Sequence, residues 1–156
     1  MSLSMKSLVA GATLFVVSAA IAQSGVGGAW KGKVQLDESK LPKVTDPKQK
    51  EMMNKIIAGV RKMTLHLDLK SNKTFTLKAS DVPVPPNGQK PKNDTAEGTW
   101  SQKGSVITLK FTKTAGMNPQ GGNQPQDLKV LDGGKRLEMI PRTPTGAANG
   151  KIIFTR

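Results

Sequence analysis

The chain has 156 residues, no cysteine, a single histidine and a formal net charge of +13 at pH 7. This length is enough for one domain with its own apolar core, and the lack of cysteine excludes both a disulfide framework and a cysteine nucleophile. One histidine is too few for a typical multi-histidine zinc site. The positive charge favours anionic partners through its long-range field but says nothing about the fold.

The N-terminal residues have the pattern of an export signal. Lys6 supplies a positive charge, Leu8 to Ala20 is an uncharged apolar stretch, and Ala20-Ile21-Ala22 is a small-x-small cleavage site before Gln23. The apolar stretch is shorter than the roughly 20 residues that span a bilayer. We therefore expect a signal peptide at residues 1–22 and an exported protein, periplasmic or secreted, whose single domain is residues 23–156.

Apolar and polar side chains alternate with a two-residue period along most of the mature chain. The segment MTLHLDLK is the clearest case, as expected for a strand with one buried face. Eight segments share this period: Ala29–Leu36, Met63–Lys70, Thr74–Lys78, Thr95–Gln102, Ser105–Thr112, Gln126–Leu131, Arg136–Ile140 and Lys151–Thr155. Short strands with repeated turn signals predict an all-β fold, an eight-stranded antiparallel up-and-down barrel.

One segment, Asp46–Lys62, has helical periodicity instead. Its apolar residues recur at spacings of three and four, with lysines and arginine on the other face. Thr45 or Asp46 can cap its start, and Pro47 suits the first helical position. The pattern predicts one amphipathic helix between strands 1 and 2. Such a helix can lie on a membrane surface, but docking on its own barrel is the commoner arrangement.

The connections between the predicted strands fall into two groups. Three are short enough for hairpins: residues 70–73, 102–104 and 132–135. Four are long: residues 37–62, 79–93, 113–125 and 141–150. Since successive turns of a meander alternate between its ends, the short turns should form a closed floor and the long connections a mouth. Loops on a rigid scaffold often carry binding groups, although long loops are also tolerated as insertions.

Three features together resemble the lipocalin-like, or calycin, group of barrels. They are the triplet Gly28-Ala29-Trp30 near the start of the mature chain, the meander, and a terminal strand ending in Phe154-Thr155-Arg156. The resemblance implies that Trp30 packs against Arg156, with the cation on the indole face. Gly98-Thr99-Trp100 repeats the triplet. A helix after strand 1 departs from the lipocalin order and is similar to the helical lid of fatty-acid-binding proteins.

A barrel of this kind would have an apolar lumen, since none of the predicted inward positions is charged. An eight-stranded barrel can be filled by side chains or hold one small ligand. We expect a small apolar or amphiphilic anionic ligand in the lumen, with mouth lysines near its head group and no metal or cofactor. The candidate ligand-binding residues are Trp30, Met53, Ile57, Phe75, Trp100 and Phe111.

Other functions remain open at this stage. Outward lysines would also suit an anionic polymer, such as an acidic polysaccharide or lipopolysaccharide, or a membrane surface. Specific nucleic-acid binding is not expected, because outward aromatic residues for base stacking are missing. A protein-binding inhibitor would leave no signature in the sequence. We expect no enzyme activity, since His66 lies on the polar face of its strand with only Asp68 as a same-face carboxylate neighbour. A monomer is expected.

Overall fold

The structure is a computed structural model that describes residues 25–82, 95–113, 124–141 and 150–156. The predicted signal peptide at residues 1–22 lies outside the described residues. Most of the three long connections after β3, β5 and β7, the strands defined below, also lies outside them.

Eight antiparallel strands form one closed barrel in which each strand pairs with the next along the chain and the last pairs with the first. This confirms the predicted fold class. The strands and helix, in chain order, are β1 (Gly28–Leu36), α1 (Pro47–Lys62), β2 (Thr64–Leu69), β3 (Thr74–Ser80), β4 (Thr95–Lys103), β5 (Val106–Lys113), β6 (Gln126–Leu131), β7 (Arg136–Met139) and β8 (Gly150–Thr155). Short 3-10 turns occupy Glu38–Lys40 and Asp132–Gly134.

The helix α1 begins as the sequence predicts. The Asp46 carboxylate accepts hydrogen bonds from the backbone N–H groups of Lys48 and Gln49, at 2.8 and 3.1 Å, and Pro47 is the first helical residue. These bonds satisfy two N–H groups that the helix itself leaves without a partner. The helix α1 contacts the barrel at β1, but it has no buried residue and its apolar side chains do not join the barrel core.

The core lies inside the barrel and follows the two-residue period of the strands. Its side chains are at most 8% exposed, and they come from all eight strands and from the segment before β1. The buried apolar residues are Val26, Trp30, Leu65, Leu67, Leu69, Phe75, Leu77, Ala79, Ala96, Trp100, Ile107, Leu109, Phe111, Leu128, Leu137, Met139, Ile152 and Phe154. Side chains of the described strands therefore pack together inside the barrel.

The antiparallel order places the two groups of connections at opposite ends. The turns after β2, β4 and β6 lie beside the start of β1 and the end of β8, and this end is called the closed end below. The strand ends that lead into and out of the four long connections lie at the other end, called the open end. The predicted asymmetry of the barrel is confirmed.

Candidate functional site

A cleft at the open end lies between α1 and the segment that precedes it, residues 38–44. Its volume is about 320 Å³. Five of its nine lining residues are apolar and three are charged. The lining residues are Glu38, Leu41, Pro42, Lys43, Val44, Lys50, Met53, Asn54 and Ile57. We call this feature the helix cleft.

The charges around the helix cleft leave a net positive margin. Glu38, the one carboxylate of the lining, forms an ion pair with Arg61 in the last turn of α1. Lys43 and Lys50 form no ion pair or hydrogen bond through their side chains within the described ranges, and both are exposed. Two lysines are therefore available to an anionic group that approaches the apolar lining.

The apolar face of α1 continues outside the helix cleft. Met52 and Ile56 are 50% and 46% exposed, and they lie one helical turn apart beside Lys48 and Lys55. Residues in a helix advance by about 100° each, so Met52 and Ile56 are about 40° apart on its circumference. The cleft residues Met53 and Ile57 form the adjoining half of the same face.

A second depression at the open end lies between the end of β1 and the start of β8. Its volume is about 440 Å³, and its lining mixes polar and apolar side chains. The lining residues are Gln35, Leu36, Asp37, Lys40, Ile140, Gly150 and Lys151. The charged groups here are already paired. Lys40 lies 3.5 Å from Asp37, and Lys151 lies 2.9 Å from Glu138. A hydrogen bond from the Ser39 hydroxyl lowers the pKa of Asp37.

The six predicted ligand-binding residues do not form one site. Met53 and Ile57 line the helix cleft, whereas Trp30, Phe75, Trp100 and Phe111 are buried in the barrel core. The Phe75 and Phe111 rings pack edge to face with centroids 5.2 Å apart. Cross-strand pairing places both rings beside Gly98. Because glycine has no side chain, this position leaves room for the two rings. Ligand binding by these six residues stays a prediction.

The two tryptophans lie near the closed end and make similar contacts. The Trp30 Nε1–H donates to the Val26 carbonyl at 2.9 Å, and the Arg156 guanidinium stacks on the ring at 4.2 Å. This confirms the stacking expected for Trp30. The Trp100 Nε1–H donates to the Lys70 carbonyl at 3.0 Å, and Lys73 Nζ lies 4.0 Å from that ring. These contacts hold both indole rings in the core next to the closed end.

Sequence reasoning missed most of the helix cleft. Leu41, Pro42 and Val44 belong to a connection that we read only as the approach to a helix. A short cluster of apolar residues in an otherwise polar connection was the available signal. Because three positions are too few for a period of two or 3.6 to be recognised, this signal could not show where they pack.

The single histidine lies outside the barrel. His66 Nε2 is 3.3 Å from the Ser80 hydroxyl on the exposed face of β2 and β3. No hydrogen bond joins His66 to Asp68, two residues along the same described strand. A serine–histidine pair without an orienting third group lacks the arrangement of a hydrolase triad. The described residues contain no group of three or more His, Cys, Asp or Glu side chains suited to a metal ion.

Comparisons with known proteins give no relative for this chain. No protein-family model, no curated protein and no solved structure matches it. Within the described ranges, no helix has both the length and the apolar character needed to cross a bilayer.

Proposed function

We propose that this chain is an exported, non-catalytic binding protein for an anionic amphiphile, and that the helix cleft binds it. The apolar part of the ligand lies between α1 and residues 38–44, and its anionic head lies near Lys43 and Lys50. The observation that carries this proposal is a cleft whose lining combines five apolar residues with two unpaired lysines. The class of ligand is the one expected from the sequence. The proposed binding site, however, is the helix cleft at the open end and not the barrel lumen.

The packing of the barrel interior favours this change of place. A ligand on the barrel axis would displace side chains such as Phe75, Leu109 and Leu128, which are 0 to 1% exposed. Protein interiors of this kind are close-packed, so that displacement costs contacts on every side. The helix cleft needs no such rearrangement.

The size and lining of the helix cleft suit a single alkyl chain with a charged end. Ligand pockets are typically about 300 to 1,000 Å³ and mainly apolar, with a few polar groups that orient the ligand. At about 320 Å³ the cleft lies at the small end of this range. Met53 adds an unbranched thioether side chain that can adapt to different ligand shapes.

Non-catalytic function and export are the two further parts of the proposal. Both rest on the sequence, and the first also rests on the position of the single histidine on the outer face of the barrel. Non-catalytic function is supported by the absence of cysteine and by the single histidine on an exposed strand face. Export is supported by the pattern of residues 1–22. N-terminal sequencing of the protein recovered from outside the cytoplasm should then begin at Gln23, and an intact Met1 there would contradict the proposal.

The barrel also fits a lipocalin-like relationship, which we include in the proposal. Its support is the closed eight-stranded meander together with the stacking of Arg156 on Trp30. Shared architecture does not by itself give a shared ligand. The proposed ligand therefore rests on the helix cleft alone.

Titration with sodium dodecanoate, followed by isothermal calorimetry, tests the proposed site. Ile57→Asn places a polar group in the cleft lining and should weaken binding about tenfold, because one buried apolar side chain contributes about 1.5 kcal/mol or more. Ile56→Asn is the matched control, since the same change is made one residue away on an exposed position of the same helix. It should change the affinity less than about twofold.

The head group is tested with lysine variants and a neutral ligand. Lys50→Gln should weaken dodecanoate binding about threefold, as expected for one exposed charge pair, while Lys48→Gln should leave it unchanged. Dodecanol should bind the wild-type protein and Lys50→Gln equally. No dodecanoate binding by the wild-type protein, or equal losses for Ile57→Asn and Ile56→Asn, would refute the helix cleft as the site.

A further inference from the structure

A row of basic side chains crosses the outer face of three neighbouring strands, away from the helix cleft. Lys31 of β1 pairs in register with His66 of β2, and His66 pairs with Lys78 of β3. All three residues are exposed. Thr155 and Thr95 continue the row at its two ends. We call Lys31, His66 and Lys78 the cationic row.

The described lysines of the cationic row form none of the ion pairs that balance basic residues elsewhere on the barrel. Lys31 and Lys78 form no ion pair within the part of the chain that the structure describes. By contrast, Lys113 lies 3.7 Å from Glu97, and Arg136 lies 3.2 Å from Asp132. The two ammonium groups of the row are therefore available to a bound anion.

The surroundings of His66 favour an anion in this position. Ser80 offers a hydroxyl 3.3 Å from His66 Nε2. On the open-end side, Lys33 Nζ donates to Thr64 Oγ1 at 2.6 Å and to the Lys62 carbonyl at 3.3 Å, which holds its charge beside the row. On the closed-end side, Asp68 shares the outer face of β2 and forms no ion pair with either lysine of the row.

The spacing of the cationic row suits a linear polyanion. Neighbouring strands are about 4.8 Å apart, so the three positions of the row span about 10 Å. Every described tryptophan and phenylalanine is buried, so this face offers no aromatic platform for nucleic-acid bases. A chain of acidic or sulfated sugars carries repeated anionic groups and needs no such platform.

We infer that the cationic row is a binding site for an acidic polysaccharide. Lys31 and Lys78 would each pair with an anionic group of the polymer, and the His66 ring lies between them as a hydrogen-bonding group. The other charged groups facing His66 are Lys31 and Lys33 from β1, Lys78 from β3 and Asp68 from its own strand. This site is separate from the helix cleft and does not depend on it.

The proposal is tested by the affinity for heparin, a sulfated polysaccharide, measured over a series of salt concentrations at one pH. Heparin should bind, and its affinity should fall as the salt concentration rises, because binding of a polyanion releases its counterions.

The position of the site is tested by two pairs of lysine variants. Lys31→Gln combined with Lys78→Gln should weaken binding about tenfold and reduce the slope of log affinity against log salt by about 2. Lys48→Gln combined with Lys50→Gln, on α1, removes the same charge and should weaken binding less than about threefold. This control also separates the cationic row from the helix cleft, which contains Lys50.

Two outcomes would overturn the inference. One is equal loss of heparin binding for the two pairs of lysine variants. The other is displacement of heparin by free sulfate more effectively than by chloride of the same ionic strength, which would indicate a site for a small anion. Thermal unfolding of each variant shows whether it is folded at the temperature of the assay.

Discussion

The guanidinium of Arg156 lies on the face of the Trp30 indole, 4.2 Å from the ring centroid, and thereby joins the last residue of the chain to the first strand. The same guanidinium donates to the carbonyls of Gly25 and Gly27, at 2.6 and 2.9 Å. Between these glycines, Val26 is 2% exposed and belongs to the core. Arg156 therefore holds the segment that covers the closed end of the barrel.

Arg156→Ala should lower the free energy of unfolding by about 2 kcal/mol, because it removes the stacking contact and two hydrogen bonds. Arg156→Lys should recover only part of this loss, since an ammonium lacks the planar fork that serves both carbonyls. Urea unfolding at neutral pH measures the difference. Lys135→Ala, at an exposed turn of the same end, is the control. Equal stability of Arg156→Ala and this control would contradict the role of Arg156.

Gly98→Ala should destabilise the protein strongly, because the position has no room for a side chain. A Cβ atom at Gly98 would lie 1.9 Å from the Lys110 carbonyl oxygen and 2.8 Å from Phe75 Cε1. The backbone of β5 must then move, at a cost of about 2 kcal/mol or more. Gly25→Ala is the matched control, since a Cβ there meets no atom within 4 Å. Urea midpoints that fall equally in both variants would contradict this explanation.

The two-residue period was enough to predict the barrel because each strand buries one face. It also explains the errors at the strand ends. Ala79 is buried and continues the period of β3 beyond the predicted end at Lys78. Met63 was assigned to β2, but its backbone N–H bonds to the Gly59 carbonyl and terminates α1. The helix and the strand compete for this residue, and a periodic pattern cannot decide between them.

The candidate site was less accessible to prediction than the fold. Met53 and Ile57 follow from helical periodicity, but their partners in residues 41–44 have no period. The shape of the cleft depends on the angle between α1 and residues 38–44, and local sequence does not determine that angle. The close packing of the core residues inside the barrel was difficult to predict for a similar reason. Alternation shows which side chains point inward, whereas their packing depends on the register of eight strands, such as the pairing of Gly98 with Phe75.

Glu138 should make stability depend on pH. Its carboxylate accepts a hydrogen bond from Lys151 Nζ at 2.9 Å, which lowers the pKa of Glu138 despite the opposing effect of burial. A lowered pKa means that the native state favours the charged form, so the stabilisation is present above the unfolded-state pKa and is lost as the pH falls through the native one. Because Lys151 is 45% exposed, the contribution is screened to about 0.5 kcal/mol.

A double-mutant cycle of Glu138→Gln and Lys151→Gln measures this contribution. The coupling between the two changes should be about 0.5 kcal/mol at neutral pH, should shrink as the pH falls through the native-state pKa of Glu138, and should vanish once the carboxyl is protonated in both states. Contributions from other carboxylates are common to the variants and cancel in the cycle. A coupling that persists undiminished in acid would show that the pair acts through packing and not through charge.

The variant Phe111→Leu tests whether the ligand binds in the barrel interior or in the helix cleft. Phe111 is 8% exposed, and its ring meets Phe75 edge to face at 88°. The smaller side chain leaves a cavity and loses this contact, so the free energy of unfolding should fall by about 1 to 2 kcal/mol. A ligand in the helix cleft does not touch this position.

Sodium dodecanoate should therefore bind Phe111→Leu within about twofold of the wild-type affinity, since effects at separate sites are additive. The same saturating dodecanoate concentration should raise the unfolding temperatures of both proteins by similar amounts. A change of more than about fivefold in dodecanoate affinity, in either direction, would place the ligand in the lumen, since a new cavity there alters its contacts directly.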